Sequence, residues 1–205
     1  MTEPPLIHVV DDDDALRTAL RRLLSAAGLR VKTYASAGEF LLDPPGDVPG
    51  CLLLDLRMPG PSGLDLQQAL ARHGILLPVV FLSGHGDLAT GVRAMKAGAV
   101  DFLTKPIERE PLLAAIARAL QADAERRAAH GAAAELRGRF ALLTAREREV
   151  FDLVVAGKLN KQVADALGIA ERTVKAQRAQ VMVKLGAANA AELGRIAAQL
   201  HERDG

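Results

Sequence analysis

The chain's 205 residues include 25 acidic and 26 basic side chains, one Cys, no Trp and one Tyr, and 49% of the residues are apolar. That length allows one large domain or two small ones, the apolar share excludes a disordered chain, and no run approaches the ~18 apolar residues of a membrane span. A lone Cys excludes a disulfide framework, and His8, His73, His85, His130 and His201 lack the spacing of a zinc site. An aromatic content of 3% argues against stacking platforms for single-stranded nucleic acid. The acidic start, Met1-Thr2-Glu3-Pro4-Pro5, has no basic n-region, so no signal peptide is expected and the cytoplasm is the expected compartment. The net charge of +1 conceals an asymmetry: residues 1–124 hold 12 basic against 15 acidic groups, and residues 125–205 hold 14 against 10. Charge separated in this way predicts two domains with different partners.

In chain order, Leu6 to Val10 reads as a strand, and Asp14 to Ala27 as a helix with Leu16, Leu20, Leu23 and Leu24 at helical spacing, ended by Gly28. Val31 to Tyr34 alternates like an edge strand, and a short helix from Ala37 to Leu42 stops at Pro44-Pro45-Gly46. Cys51 to Leu54 and Val79 to Leu82 are continuously apolar, and Val100 to Leu103 is apolar apart from Asp101, as expected of strands covered on both faces. Helical periodicity fills Leu64 to Arg72 and Leu88 to Ala97, and Leu112 to Leu120 opens the last helix of this half. Five strands alternating with five helices predict a doubly wound, five-stranded parallel sheet of flavodoxin-like type over residues 5–124. Residues 125–139 are rich in Ala and Arg without an apolar stripe. They read as a charged, helical linker or as an extension of the preceding helix.

From 140 to 205 the pattern is all-helical, with four helices. Thr144 caps Ala145 to Ala156 with Glu147 completing a capping box, Asn160 caps Lys161 to Leu167, Gly168-Ile169 turns the chain, and Glu171 to Leu185 ends at Gly186. Asn189 caps Ala190 to Leu200.

In a doubly wound sheet the carboxyl ends of the strands open on one edge, where ligands bind. Asp11 and Asp12, Asp55, Ser83 and Lys105 all follow strand ends and converge there, whereas Asp13 and Asp14 read as solvated or helix-capping acids. Crowded carboxylates repel unless a cation neutralises them, and an all-oxygen donor set suits Mg2+. A carboxylate can also act as a nucleophile toward phosphorus, and Lys105 supplies a mobile positive charge for a phosphoryl oxygen.

Val9-Val10-Asp11-Asp12-Asp13, Asp55-Leu56-Arg57-Met58-Pro59 with Gly63, Ser83-Gly84-His85-Gly86-Asp87 and Lys105-Pro106 resemble the receiver domain of bacterial two-component response regulators. The resemblance implies that Asp55 accepts a phosphoryl group from a sensor histidine kinase. It also implies that Asp11, Asp12, Asp55 and the backbone carbonyl of Arg57 hold Mg2+, and that Ser83 and Lys105 bind the phosphoryl oxygens. Phe102 matches the family's switch aromatic, coupled to Ser83, and the Lys105-Pro106 bond is expected to be cis. Arg57 and His85 stand where they could tune hydrolysis of the aspartyl phosphate.

At 100° per residue, Val174, Val181 and Leu185 of the third C-terminal helix share one face, while Arg172, Lys175, Ala176, Ala179 and Val183 cluster opposite. Leu143 to Val150, Gly157-Lys158-Leu159-Asn160-Lys161, Leu167-Gly168-Ile169 and Thr173-Val174-Lys175 to Lys184-Leu185-Gly186 resemble the LuxR-type helix-turn-helix domain. With the receiver motifs they resemble the FixJ/NarL class, the receiver wording being most similar to the FixJ branch. The resemblance implies base contacts from Arg172, Lys175, Ala176 and Ala179 and phosphate contacts from Lys158, Lys161, Arg178 and Lys184. Two residues depart from the family pattern: Ala170 replaces the usual Ser cap, and Gln177 the usual His.

The expected function is a transcription regulator in which phosphorylation controls dimerisation and binding to paired DNA half-sites, with RNA polymerase as a further partner. No turnover enzyme is expected beyond self-phosphorylation from a donor and slow autodephosphorylation. Two rivals use the same residues: a Mg2+-dependent aspartate-nucleophile phosphohydrolase, although Arg57 stands where a general acid would, and a receiver acting by protein contact without DNA.

Overall fold

The structure, a computed structural model, describes residues 4–84 and 88–201, with the side chains of 88 and 89 left aside. The chain divides into two compact units, Met1–Arg127 and Ala128–Gly205. In the first, β1 (Leu6–Val10), β2 (Arg30–Tyr34), β3 (Gly50–Asp55), β4 (Val79–Ser83) and β5 (Asp101–Thr104) form an all-parallel sheet in the order β2-β1-β3-β4-β5. Between them run α1 (Asp14–Ala26), α2 (Ala37–Leu42), α3 (Gly63–Arg72) and α4 (Leu88–Lys96), and α5 (Arg109–Ala141) follows β5.

The period-2 alternation of a strand divides the apolar residues between two cores. Ile7, Val9, Cys51, Leu53, Val80 and Leu82 pack with Leu20 and Leu24 of α1 and Leu112, Ile116 and Ala119 of α5. Val10, Leu52, Leu54, Val79 and Phe81 pack on the other face with Phe40 of α2 and Leu66 and Leu70 of α3. β3, in the centre, is buried at every position. β5 differs from its expected character: it begins at Asp101, lies at the sheet edge and is only half-buried, since one side has no neighbouring strand.

His8 on β1 is a buried polar residue inside this core, 2% exposed. Its Nδ1 lies 3.1 Å from the Tyr34 hydroxyl, and its ring meets Phe40 edge-on. Burial, reinforced by the Lys32 charge, lowers its pKa to about 4, so the imidazole is neutral at physiological pH. The unfolded chain, with an ordinary value of 6.5, binds the proton more readily, so stability is complete above about pH 6.5 and falls as pH drops toward 4. The loss amounts to roughly 3 kcal/mol. Urea unfolding followed through Tyr34, the only Tyr in a chain without Trp, is expected to show this pH dependence, and His8→Gln is expected to remove most of it.

The stretch read as a linker is not separate from the preceding helix. α5 runs unbroken over 33 residues, through Arg126, Arg127, Arg137 and Arg139. Its Ala-rich composition favours helix despite Gly131 and Gly138. Arg126 and Arg127 are not free linker charges. Asp123, 1% exposed, bonds the guanidiniums of Arg126 and Arg127 (2.8 Å to Arg127) and accepts the Gly50 N–H at 3.1 Å. Arg127 also donates to the Val48 carbonyl at 2.7 Å, so α5 is tied to the start of β3.

In the second unit α6 (Ala145–Val155), α7 (Asn160–Leu167), α8 (Glu171–Leu185) and α9 (Ala190–His201) enclose Val150, Phe151, Val154, Val163, Val174, Val181, Leu185 and Leu193. Thr144 and Glu147 form the capping box at the start of α6. The start of α7 is different from the expected one: Leu159 occupies the cap position and its N–H is taken by the Gln162 side chain at 2.9 Å. Asn160 instead opens the helix and accepts from Arg178 at 3.0 Å, which removes its carboxamide from the capping role. Gly168, at φ 65°, makes the left-handed turn between α7 and α8. Among the described residues no helix is long and apolar enough to cross a membrane.

Candidate functional site

The carboxyl ends of β1, β3, β4 and β5 bring together the residues singled out in the first unit. Asp11 follows β1 and is fully buried, Asp55 ends β3 at 5% exposure, and Ser83 ends β4 and is fully buried. Asp12 is exposed beside them, and the carboxylate oxygens of Asp11, Asp12 and Asp55 lie within 4.8 Å of one another. Lys105, just past β5, bridges two of these groups, its Nζ 2.8 Å from Asp11 Oδ2 and 3.1 Å from Asp55 Oδ2. Its backbone N–H donates to the Ser83 carbonyl at 2.6 Å and its bond to Pro106 is cis. Asp13 caps α1 through the N–H groups of Ala15 and Leu16, and Asp14 pairs with Arg17. Neither adds to the cluster.

Further backbone contacts fix the crevice. The Asp13 N–H donates to Asp11 at 2.9 Å, the Arg57 N–H to Asp55 at 3.3 Å, and the Arg17 guanidinium to the Asp11 carbonyl at 2.6 Å. Gly63, which opens α3, sits so close that a Cβ there would lie 2.3 Å from the Asp55 carbonyl oxygen. Its Cα–H face is what lets α3 start against the end of β3. Burial and the neighbouring Asp11 charge raise the pKa of Asp55, partly opposed by Lys105. Burial works to lower that of Lys105, but the Asp11 and Asp55 carboxylates outweigh it and the net shift is upward, so the ammonium stays charged. Phe102 on β5 is half-buried against the α2–α3 core. Its ring lies over Gly91 of α4, where a Cβ would come within 3.2 Å. His85 lies outside the described residues.

In the second unit, Arg172, Lys175, Ala176 and Ala179 are exposed along α8, as are Lys158 and Lys161 before and within α7. Val183 continues the exposed face at 76%. Arg178 and Lys184, singled out with them, are half-buried and bonded within the domain, to Asn160 and to Glu147. Ala170 caps α8 without any side-chain bond, an omission worth about 1 kcal/mol. The Gln177 Oε1 is buried without a hydrogen-bond partner.

A five-stranded doubly wound unit with an acid–lysine crevice at its strand ends, joined in one chain to a helix-turn-helix unit, defines the response regulators as a class. Two family models match accordingly, the response regulator receiver domain over residues 7–117 and the luxR family of bacterial regulatory proteins over residues 141–197. The chain is similar to nodulation protein W of Bradyrhizobium diazoefficiens, 46% identical over 95% of this chain and 86% of that protein. It is similar also to the transcriptional regulatory protein FixJ of Azorhizobium caulinodans, 44% identical over 96% and 93%. Among solved structures, the response regulator StyR matches 96% of this chain and 100% of its own at 45% identity and a TM-score of 0.83. Full-length FixJ from B. japonicum matches 98% of each chain at 38% identity and a TM-score of 0.60. The chain therefore belongs to the response regulators that carry a receiver and a LuxR-type DNA-binding domain, the class of transcription regulators that includes FixJ.

Among the described residues, reasoning from sequence missed Asp123, Glu147 as more than a cap, and Gly91. Asp123 shows in its own helix only the i,i+3 and i,i+4 spacing to Arg126 and Arg127; its burial and its bond to Gly50, 73 residues away, leave no local trace.

Proposed function

We propose that the chain is switched by phosphorylation of Asp55 by a sensor histidine kinase, and that the phosphorylated form dimerises and binds double-stranded DNA to regulate transcription, with RNA polymerase as a further partner and the cytoplasm as its place of work. The observation that carries this reading is the Asp55 carboxylate at a strand end, 3.1 Å from Lys105 and beside Asp11. A receiver over 5–124, a helical linker over 125–139 and a DNA-binding domain over 140–205 fit it, in keeping with the matched segments.

An Asp55 oxygen attacks phosphorus as the P–N bond to the donor imidazole breaks, and the electron pair leaves with the nitrogen. Lys105 offsets the charge that gathers on the phosphoryl oxygens and the Ser83 hydroxyl donates to one of them. The donor set fits Mg2+: three carboxylates face one ammonium, and all of the ligand atoms are oxygen. Asp11, Asp12, Asp55 and the Arg57 carbonyl would hold the ion, which when bound neutralises carboxylate and phosphoryl charge. Phe102, whose packing depends on the Gly91 face, would follow the Ser83 hydroxyl and report the event to α4 and β5. The chain would turn over no substrate beyond accepting phosphate and slowly releasing it.

On α8, Arg172 and Lys175 would read guanine edges while Ala176 and Ala179 pack on thymine methyls. Lys158 and Lys161 would meet phosphates, and Arg178 and Lys184 lie at the border of that surface. Selection of duplexes from a random pool by the full chain, with and without acetyl phosphate and Mg2+, tests the reading. A recovered paired motif, bound more tightly after acetyl phosphate and weakening steeply with salt, is expected, and no enrichment at low salt would overturn it.

A further inference from the structure

Arg178 and Lys184 lie about 120° to either side of Arg172 on the α8 wheel, at the border between the exposed and buried faces. Each is bonded to a different helix. Arg178 donates to Asn160, the first residue of α7, at 3.0 Å. On the other flank the Lys184 ammonium lies 2.6 Å from Glu147 Oε2 in α6 and 3.3 Å from the Leu142 carbonyl. Glu147 is 6% exposed, and the same oxygen accepts the Thr144 N–H at 2.7 Å. Lys184, followed by the Thr144 backbone, holds its carboxyl below the ordinary range.

A buried carboxylate with one ammonium partner loses more by giving up that partner than an exposed phosphate would return, because the phosphate is already screened by water and counterions. Among the described residues Lys158 and Lys161 have no such partner, and both are exposed. We infer that Arg178 and Lys184 are positioning residues: they clamp α8 to α7 and α6 on its two flanks and so set its rotation about its own axis, rather than contacting DNA phosphates. The inference rests on the DNA-binding reading above. A helix rotated by one residue's angle, 100°, would carry Lys175 or Ala176 off the groove, so the clamp acts on discrimination between sequences more than on charge neutralisation.

Salt dependence separates the two roles, because each lost phosphate contact lowers the slope of log K against log salt by about one. The full chain is titrated by fluorescence anisotropy with a duplex it selects from a random pool and with an unrelated duplex, across a salt series. Lys161→Met is expected to lower the slope by about one and weaken both duplexes alike. Lys184→Met and Arg178→Met are expected to keep the native slope while affinity for the selected duplex alone falls roughly tenfold. Lys184→Arg, which retains the ion pair, is expected to keep both slope and discrimination. Glu147→Gln decides the matter from the other side, since Gln still completes the capping box. It frees Lys184, so a phosphate-binding Lys184 would tighten both duplexes, whereas a clamp loosens the selected one. A slope reduced by about one in both Met variants, or tighter binding by Glu147→Gln, overturns the inference. A native chain that selects no duplex overturns the DNA-binding reading itself and the clamp with it.

Discussion

Asp55→Asn is expected to abolish labelling by radioactive acetyl phosphate in the presence of Mg2+ and, with it, the gain in DNA affinity expected of the native chain with acetyl phosphate. The loss follows from chemistry rather than shape. A carboxamide of the same size fills the same place at the end of β3, so the fold is retained, but its oxygen is no longer an anionic nucleophile. The substitution also removes one of the two carboxylates that Lys105 bridges, leaving Asp11 as its partner at 2.8 Å. Lys105→Met is expected to slow labelling while sparing binding of the donor, since no ammonium then meets the charge developing on the phosphoryl oxygens. Undiminished labelling of Asp55→Asn, mapped to another acid such as Asp12 by peptide mass, would remove Asp55 from its assigned role.

The receiver's crevice was legible because each of its parts stands at the end of a strong local pattern. Cys51 to Leu54 and Val79 to Leu82 are apolar runs, and Leu6 to Val10 is one broken only by His8; in alternation with helical patterns they read as strands of a covered sheet, and a parallel sheet sends all of their ends to one edge. Asp11, Asp55 and Ser83 could therefore be placed together without knowing a single distance. The capping box of Thr144 and Glu147 and the turn at Gly168 were legible for the same reason, since both depend on residues at most a few positions apart. What local pattern could not reveal was the use of charge across the fold. Lys184 reads as one more cation on a basic helix, and only packing shows a buried carboxylate 37 positions away. Asn160 has the composition of a cap, yet Arg178, 18 positions on, claims its side chain. Arg126 and Arg127 count toward a basic linker until Asp123 is seen to be buried beneath them.

That last cluster carries the second large effect. Asp123→Ala is expected to cost the first unit about 3 kcal/mol. Two losses combine: the Gly50 N–H at the start of β3 is left buried without its acceptor, and the guanidiniums of Arg126 and Arg127 lose their shared carboxylate. The guanidiniums are 34% and 25% exposed, so water recovers part of the second loss, which keeps the total at the lower end for a broken buried ion pair. The Gly50 N–H has no such recourse, because Gly50 is buried at the start of β3. Asp47→Ala is the control. Its carboxylate also pairs with Arg127 but is 98% exposed, and removing it is expected to leave the melting temperature nearly unchanged. Thermal unfolding of the full chains, followed through Tyr34, measures both. Hydrogen exchange should place the damage of Asp123→Ala at the start of β3 and in the α5 turn around residue 123. An Asp123→Ala chain that melts with the native one would mean that α5 is held by the apolar contacts of Leu112, Ile116 and Ala119 alone, and that the buried carboxylate contributes no net stability.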